Sequence, residues 1–312
     1  MTQPKALGII NQVRKAIVGK DTVVCKALMA IIAGGHILLE DNPGVGKTTM
    51  ALAFSRAMSM NFCRMQFTPE TMPSDVIGYS MLNQQSGRLE YRPGGIMCNL
   101  FLADEINRTS AKTQSALLEA MEEGQITVDG ATRPLPSPFT VIATQNPLGT
   151  AGTQPLPESQ LDRFMLRLSI GYPSPEQEVE ILRQTEGLRP LESIVPAATL
   201  QEVERMQDEA SRVHVADDLY RYVAELCTAT REATSLRLGA SPRAGGALIR
   251  ACRASAWMGG RDYVVPADIN LLFYDVLCHR VVLDPGAKIS GKDARSALEG
   301  IMAGVPAPKV LK

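Results

Sequence analysis

Seven consecutive residues, Pro43-Gly44-Val45-Gly46-Lys47-Thr48-Thr49, put two glycines, a lysine and two hydroxyls between an apolar run and a helix-patterned segment. Backbone N–H groups of such a loop, and of the helix it opens, can face phosphate oxygens. Lys47 can then reach the β- and γ-phosphates, and the Thr48 hydroxyl can bind Mg²⁺. The first glycine of the strict G-x-x-x-x-G-K-[ST] pattern is replaced by Asp41, with Asn42 next. Pro43 and Gly44 still shape the loop. Asn42, Pro43, Gly44, Val45, Gly46, Lys47, Thr48 and Thr49 are therefore candidate phosphate-binding residues.

Leu100-Phe101-Leu102-Ala103-Asp104-Glu105 ends an apolar run in two carboxylates. This is the Walker B pattern. Asp104 is expected to hold Mg²⁺, through water, and Glu105 to orient or deprotonate an attacking water. A bare Asp-Glu at a strand end is often only solvated, but a phosphate loop upstream favours the catalytic reading. Ala143-Thr144-Gln145-Asn146-Pro147 ends a neighbouring run in an amide. Asn146 could position water beside the γ-phosphate; the plainer alternative is an Asx turn before proline.

Two arginines complete the set. Arg163, in Leu156-Pro157-Glu158-Ser159-Gln160-Leu161-Asp162-Arg163-Phe164, precedes the last apolar run. It reads as an arginine finger toward the nucleotide of the next subunit. The competing reading is an intrachain ion pair with Asp162 or Glu158. In Gly239-Ala240-Ser241-Pro242-Arg243, Ser241 caps a helix that Pro242 begins. A cation in the first helical turn opposes the helix dipole. Arg243 therefore calls for an anion, which a nucleotide phosphate supplies; a solvated surface arginine is the alternative.

These residues need elements to place them. Ile9 to Gly34 has helical spacing, broken near Val18-Gly19. His36 to Leu39 reads as a buried strand, and Thr48 to Met60 returns to helix. Further strand-like runs lie at Ile96 to Ala103, Phe139 to Thr144 and Phe164 to Ile170. Apolar runs alternating with helices imply a mostly parallel sheet covered on both faces. Tyr79 to Arg92 and Glu123 to Pro138 alternate polar and apolar residues around Ser86-Gly87 and Asp129-Gly130, as hairpins do. Ser174-Pro175-Glu176-Gln177 opens a helix toward Gly187. Arg189 to Ala198 reads as a linker. Leu200 to Leu283 reads as wholly helical: Leu200–Val213, Asp218–Ala233, Arg243–Met258 and Pro266–His279. The tail from Asp284 is weakly patterned. Residues 1–188 are thus expected to form the αβα domain, and 189–312 a small all-α domain.

Composition narrows the class. Lys plus Arg, 32 residues, nearly balance Asp plus Glu, 33 residues, so no overall basic footprint marks a nucleic-acid partner. The six cysteines lack zinc-like or CxxC spacing and read as small buried hydrophobes. The three histidines are scattered. No apolar run approaches the ~20 residues of a membrane span. Met1 to Ile10 has no apolar signal-peptide core. The expected location is the cytoplasm.

Together the motifs resemble the AAA+ superfamily, and within it the MoxR family. The resemblance rests on Glu40 to Thr49, Ala103 to Arg108, Lys112 to Glu123, Ala143 to Pro147, Leu156 to Phe164 and Ser241 to Arg243. It covers nearly the whole chain. It implies an αβα nucleotide domain with a helical lid, and hairpins inserted at helix 2 and before the sensor-1 strand. It assigns Lys47 and Thr48 to Walker A, Asp104 and Glu105 to Walker B, Asn146 to sensor 1, Arg163 to the finger and Arg243 to sensor 2. Val18-Gly19 resembles the segment that contacts adenine. The resemblance also implies a hexameric, chaperone-like, Mg²⁺-dependent ATPase, often paired with a protein that carries a von Willebrand factor A domain. Two other readings are a nucleotide-gated scaffold with little hydrolysis, which Glu105 argues against, and a nucleic-acid motor. For the latter the inserted hairpins offer only Arg88, Tyr91 and Arg133 as contacts. The absence of an Asn/Thr-Lys-x-Asp motif favours ATP over GTP.

Overall fold

The computed structural model describes residues 3–146, 156–185 and 190–308. Helices α1 (Pro4–Arg14) and α2 (Asp21–Ile32) precede strand β1 (Ile37–Glu40), which feeds α3 (Lys47–Ala57) through the glycine loop. Strand β2 (Phe62–Gln66) and the short α4 (Pro73–Ile77) lead to a hairpin, β3 (Tyr79–Leu82) with β4 (Leu89–Arg92), and then to β5 (Leu100–Asp104). Helix α5 (Ala111–Glu123) runs into a second hairpin, β6 (Gln125–Val128) with β7 (Ala131–Pro134). Strand β8 (Thr140–Gln145), α6 (Glu158–Leu161), β9 (Leu166–Leu168) and α7 (Pro175–Thr185) follow. Both hairpins lie where the polar-apolar alternation places them.

Among the described residues, five strands form one parallel sheet in the order β2-β5-β8-β1-β9. Side chains alternate between its faces. Ile37, Leu39, Leu100, Leu102 and Ile142 enter one core, with α1, α2 and α3; Leu38, Phe101, Ala103, Val141 and Ala143 enter the other, with α5. Because both faces are covered, the central strands read as unbroken apolar runs. Strand β2 is the exception. Its residues are half-buried or exposed at the sheet edge, so Phe-Cys-Arg-Met-Gln carries no such run and is a fifth strand beyond the four the pattern marks.

The second unit contains α8 (Leu200–Ser211), α9 (Asp217–Glu232), α10 (Pro242–Met258), α11 (Pro266–Leu277), α12 (Pro285–Ile289) and α13 (Ala294–Gly304). It differs from the wholly helical expectation by a two-stranded ribbon, β10 (Leu236–Leu238) with β11 (Val282–Leu283). The tail also has more order than its pattern suggests: Asp293 caps α13, and Leu298 is fully buried. The expected linker is packed down as well. Ile194 and Ala198 are buried, and the N–H groups of Ala197 and Ala198 both donate to the Ala57 carbonyl at the end of α3, at 2.8 and 3.1 Å. Pro147, Gly187 and Arg189 lie outside the described residues.

Candidate functional site

The carboxyl ends of β1, β5 and β8 lie side by side. Glu40 is in register with Gln145, and Ala103 with Ala143. Open α/β sheets bind ligands at such ends. A cavity of about 380 Å³ opens here, lined by Pro43, Gly44, Gly46, Lys47, Thr48, Thr49, Arg64, Gln66, Asp104, Glu105 and Asn146. Gly44 and Gly46 have φ of +85° and +94°, a conformation side chains rarely adopt, and Gly46 is the N-cap of α3. The first N–H groups of α3 have no helical acceptor and are free for an anion. Lys47 Nζ donates instead to the carbonyls of Asp41 and Asn42, at 2.6 and 3.2 Å. Burial holds the Lys47 pKa below the usual lysine value, while Asp41, Asp104 and Glu105 pull it back up.

Asp41, which replaces the first glycine, is itself buried. Its carboxylate accepts from Ser169 Oγ (2.7 Å), the Ile170 N–H (2.6 Å) and the Gly171 N–H (3.1 Å). It ties the phosphate loop to the chain that leaves β9.

Asp104 is also buried. Its Oδ1 accepts from the Thr144 hydroxyl at 2.6 Å, and its Oδ2 accepts from Arg64 Nη2 at 2.8 Å. Glu105 has a φ of +57°, and the Thr144 hydroxyl oxygen accepts its N–H at 2.9 Å. A non-glycine residue in that region costs on the order of 1 kcal/mol or more and is held by its surroundings. The Glu105 carboxylate accepts from Gln66 Nε2 (2.9 Å) and Arg108 Nη1 (2.8 Å). Thr48 and Asp104 bring hard oxygen donors into one cavity. That set fits Mg²⁺, which is typically held by one or two protein oxygens, phosphates and water rather than by a protein cage. Among the described residues no group of three or more His, Cys, Asp or Glu forms such a cage.

A second hollow of about 660 Å³ adjoins the loop and shares Gly44, Gly46 and Thr49 with it. Ile17, Val18, Val45, Ile170 and Tyr172 give it apolar walls suited to a nucleobase. Gly19 has a φ of +68°, and its carbonyl accepts from Gln177 Nε2 at 3.2 Å. Lys20 Nζ donates to the Tyr172 carbonyl at 2.7 Å. These bonds join the break between α1 and α2 to the segment that opens α7.

Arg163 and Arg243 are brought together, but not to the phosphate cavity. They lie in a separate cavity of about 270 Å³, where Glu122 at the end of α5 accepts from both. Arg163 Nε meets Glu122 Oε2 at 2.7 Å, and Arg243 Nη2 meets Oε1 at 2.6 Å. The intrachain partner of Arg163 is therefore Glu122, rather than Asp162 or Glu158. Asp162 pairs with Arg280 at 2.6 Å, and Ser241 Oγ donates to it at 3.1 Å.

The motif reading assigns no role to Arg64, Gln66, Thr144, Tyr172 or Glu122. Arg64 and Gln66 alternate along β2 and so share one face, but only the strand pairing, Gln66 opposite Asp104, reveals where they point. Thr144 sits inside a quoted motif, and its position between the two carboxylates depends on the register of β5 and β8.

Residues 36–166 match the family model described as ATPase family associated with various cellular activities, and residues 228–301 match an AAA lid domain. The chain is 46% identical to YeaC of Bacillus subtilis, a protein named as uncharacterised, over 96% of this chain and 93% of that one. It is 40% identical to the chaperone MoxR1 of Mycobacterium tuberculosis, over 96% of this chain and 82% of that one. A crystal structure of a candidate ATPase from Cytophaga hutchinsonii superimposes with a TM-score of 0.91 at 39% identity, covering 98% of this chain and 95% of that one. With the phosphate loop, the strand-end carboxylates and the helical lid in place, the chain belongs to the MoxR family of AAA+ ATPases.

Proposed function

We propose that this chain is a Mg²⁺-dependent ATPase whose active sites are completed between copies of the chain, and which uses hydrolysis to remodel or activate a partner protein. One observation carries the reading. Arg163 and Arg243, the two cations expected at nucleotide phosphates, share a cavity distinct from the one that holds Lys47, Thr48 and Asp104. Cations placed there serve a phosphate most directly if the phosphate belongs to a neighbouring subunit.

Within one chain, the α3 N-terminus and Lys47 would hold the phosphates and the apolar hollow the adenine. Thr48 and Asp104 would hold Mg²⁺, which when bound neutralises charge on the phosphate oxygens. Glu105 would take the proton of the attacking water as its oxygen bonds to the γ-phosphorus and the bond to the ADP oxygen breaks. Asn146 would fix the water's direction. Arg163 and Arg243 of the neighbour would stabilise the charge that develops. The ring is proposed as a hexamer, and the partner as a protein carrying a von Willebrand factor A domain, both from the family resemblance. No described helix is long and apolar enough to cross a membrane.

The test is ATP turnover per subunit across a range of protein concentrations, for the wild type and Arg163→Ala. The expected result is a specific rate that rises with concentration, and an Arg163→Ala chain that binds ATP but turns it over at least about a hundredfold more slowly. An Arg163→Ala chain with the wild-type rate would overturn the reading.

A further inference from the structure

We infer that Arg250 is a third phosphate-binding residue of the cavity that holds Arg163 and Arg243, and that this cavity receives the terminal phosphate of a nucleotide bound to a second copy of the chain. The inference rests on the intersubunit reading above and deepens it.

Among the described residues, four guanidinium groups line this cavity, against the two carboxylates of Glu122 and Asp162. Three of the four are accounted for. Arg163 and Arg243 each take one oxygen of Glu122. Arg280 is engaged by Asp162 and by the carbonyls of Phe164 and Met165. Arg250 lines the same cavity, and among the described residues no acceptor lies within hydrogen-bonding or ion-pairing distance of it. Its pKa is pulled down, first by partial burial and then by the Arg243 guanidinium. An anion in the cavity would favour the charged guanidinium and so oppose both effects.

Helix geometry explains the placement. Arg243, Ala247 and Arg250 are spaced i, i+4, i+7 and so share one face of α10. All three line the cavity, and the small Ala247 leaves room between two long cations. The rise per residue separates Arg243 from Arg250 by about 10 Å along the axis, which extended guanidinium groups can close around one group. The two oxygens of Glu122, each receiving one guanidinium, already occupy the cavity as phosphate oxygens would. His36, the remaining titratable wall, is neutral and supplies no counter-anion, because Val141 N–H donates to its Nδ1 while its Nε2 bonds the Met121 carbonyl.

The test is complementation between subunits. Arg250→Ala is expected to lose tenfold or more of its turnover at saturating ATP, with ATP binding to its own loop unchanged. Arg250→Lys is expected to keep part of the activity. A Lys47→Ala chain lacks a working phosphate loop but has intact arginines. Mixing it with inactive Arg250→Ala should restore turnover, because mixed pairs contain one complete site. Arg163→Ala mixed with Lys47→Ala is the reference. If Arg250→Ala keeps full turnover, or is inactive but not rescued while Arg163→Ala is rescued, the role of Arg250 is overturned and the intersubunit reading survives. If neither is rescued, the intersubunit reading falls and this inference with it.

Discussion

The Thr144 hydroxyl donates to Asp104 Oδ1 at 2.6 Å, and the same oxygen accepts the N–H of Glu105 at 2.9 Å. One fully buried side chain on β8 thus fixes both carboxylates at the end of β5. Replacing it with valine keeps the shape and removes both bonds. A buried carboxylate and a backbone N–H each lose a partner, at about 1–3 kcal/mol apiece. Thr144→Val is expected to lower turnover tenfold or more, with nucleotide affinity within about threefold of wild type, because Lys47 and the loop are untouched. Thr144→Ser should retain most of the activity. Equal turnover in the valine and serine chains, from steady-state rates beside fluorescent-nucleotide titrations, would sink this account.

Asp41 occupies the position where the phosphate-loop pattern has glycine, yet its carboxylate holds Ser169, Ile170 and Gly171. Restoring the pattern with Asp41→Gly is therefore expected to weaken the protein. Loss of three bonds to a buried carboxylate is worth about 2–4 kcal/mol. It would also free the Ile170–Tyr172 wall of the nucleobase hollow, so ADP should bind more weakly. Chemical denaturation and calorimetric ADP titration measure both effects. An Asp41→Gly chain as stable as wild type, or tighter for ADP, would contradict the clamp.

The same residue marks the limit of what the sequence makes legible. Lys47, Thr48, Asp104 and Glu105 follow from local pattern, because a strand, a glycine loop and a helix must be contiguous in the chain to cradle phosphate. The sheet strands buried on both faces were legible for the same kind of reason. Asp41 looked like a departure because its partners are more than a hundred residues away. Strand β2 leaves no apolar signature because an edge strand needs no apolar run. Glu122, inside a quoted motif, acquires meaning only when α5, the segment before β9 and α10 converge on it. Long-range juxtaposition leaves no periodic trace, so only the fold reveals the convergence of Arg163 and Arg243 on Glu122.

Acid sensitivity is expected from His36. Burial pushes its pKa down to about 4; its bond to the Met121 carbonyl opposes this and the Arg250 charge adds to it. Unfolded, a histidine titrates near 6.5. Between those values the unfolded chain binds a proton that the folded chain refuses. The contribution is therefore complete above about pH 6.5, shrinks as the pH falls toward about 4, and changes little below that. Its size is on the order of 3 kcal/mol. Urea midpoints at several pH values across this window should fall with pH in the wild type and fall less in His36→Asn. Parallel slopes in the two chains would exclude His36 as the source.

Arg280 joins the lid to the segment that carries Arg163. Its guanidinium is buried and pairs with Asp162 at 2.6 Å while bonding the carbonyls of Asp162, Phe164, Met165 and Val276. Lysine has neither the fork nor the number of donors to serve these acceptors. Lysine keeps the charge but leaves two or more of these buried acceptors unpaired, at about 1–3 kcal/mol apiece. Arg280→Lys is therefore expected to lower the midpoint of thermal unfolding by roughly 6–15 °C for a domain of this size. Because Asp162 adjoins Arg163, the intersubunit reading adds a second outcome at temperatures where the chain remains folded. Turnover should fall while nucleotide affinity at the distant loop is kept. An Arg280→Lys chain with a wild-type melting temperature would show that the lid does not depend on this contact, and a loss of nucleotide affinity equal to the loss of turnover would point to general loosening instead of displacement of Arg163.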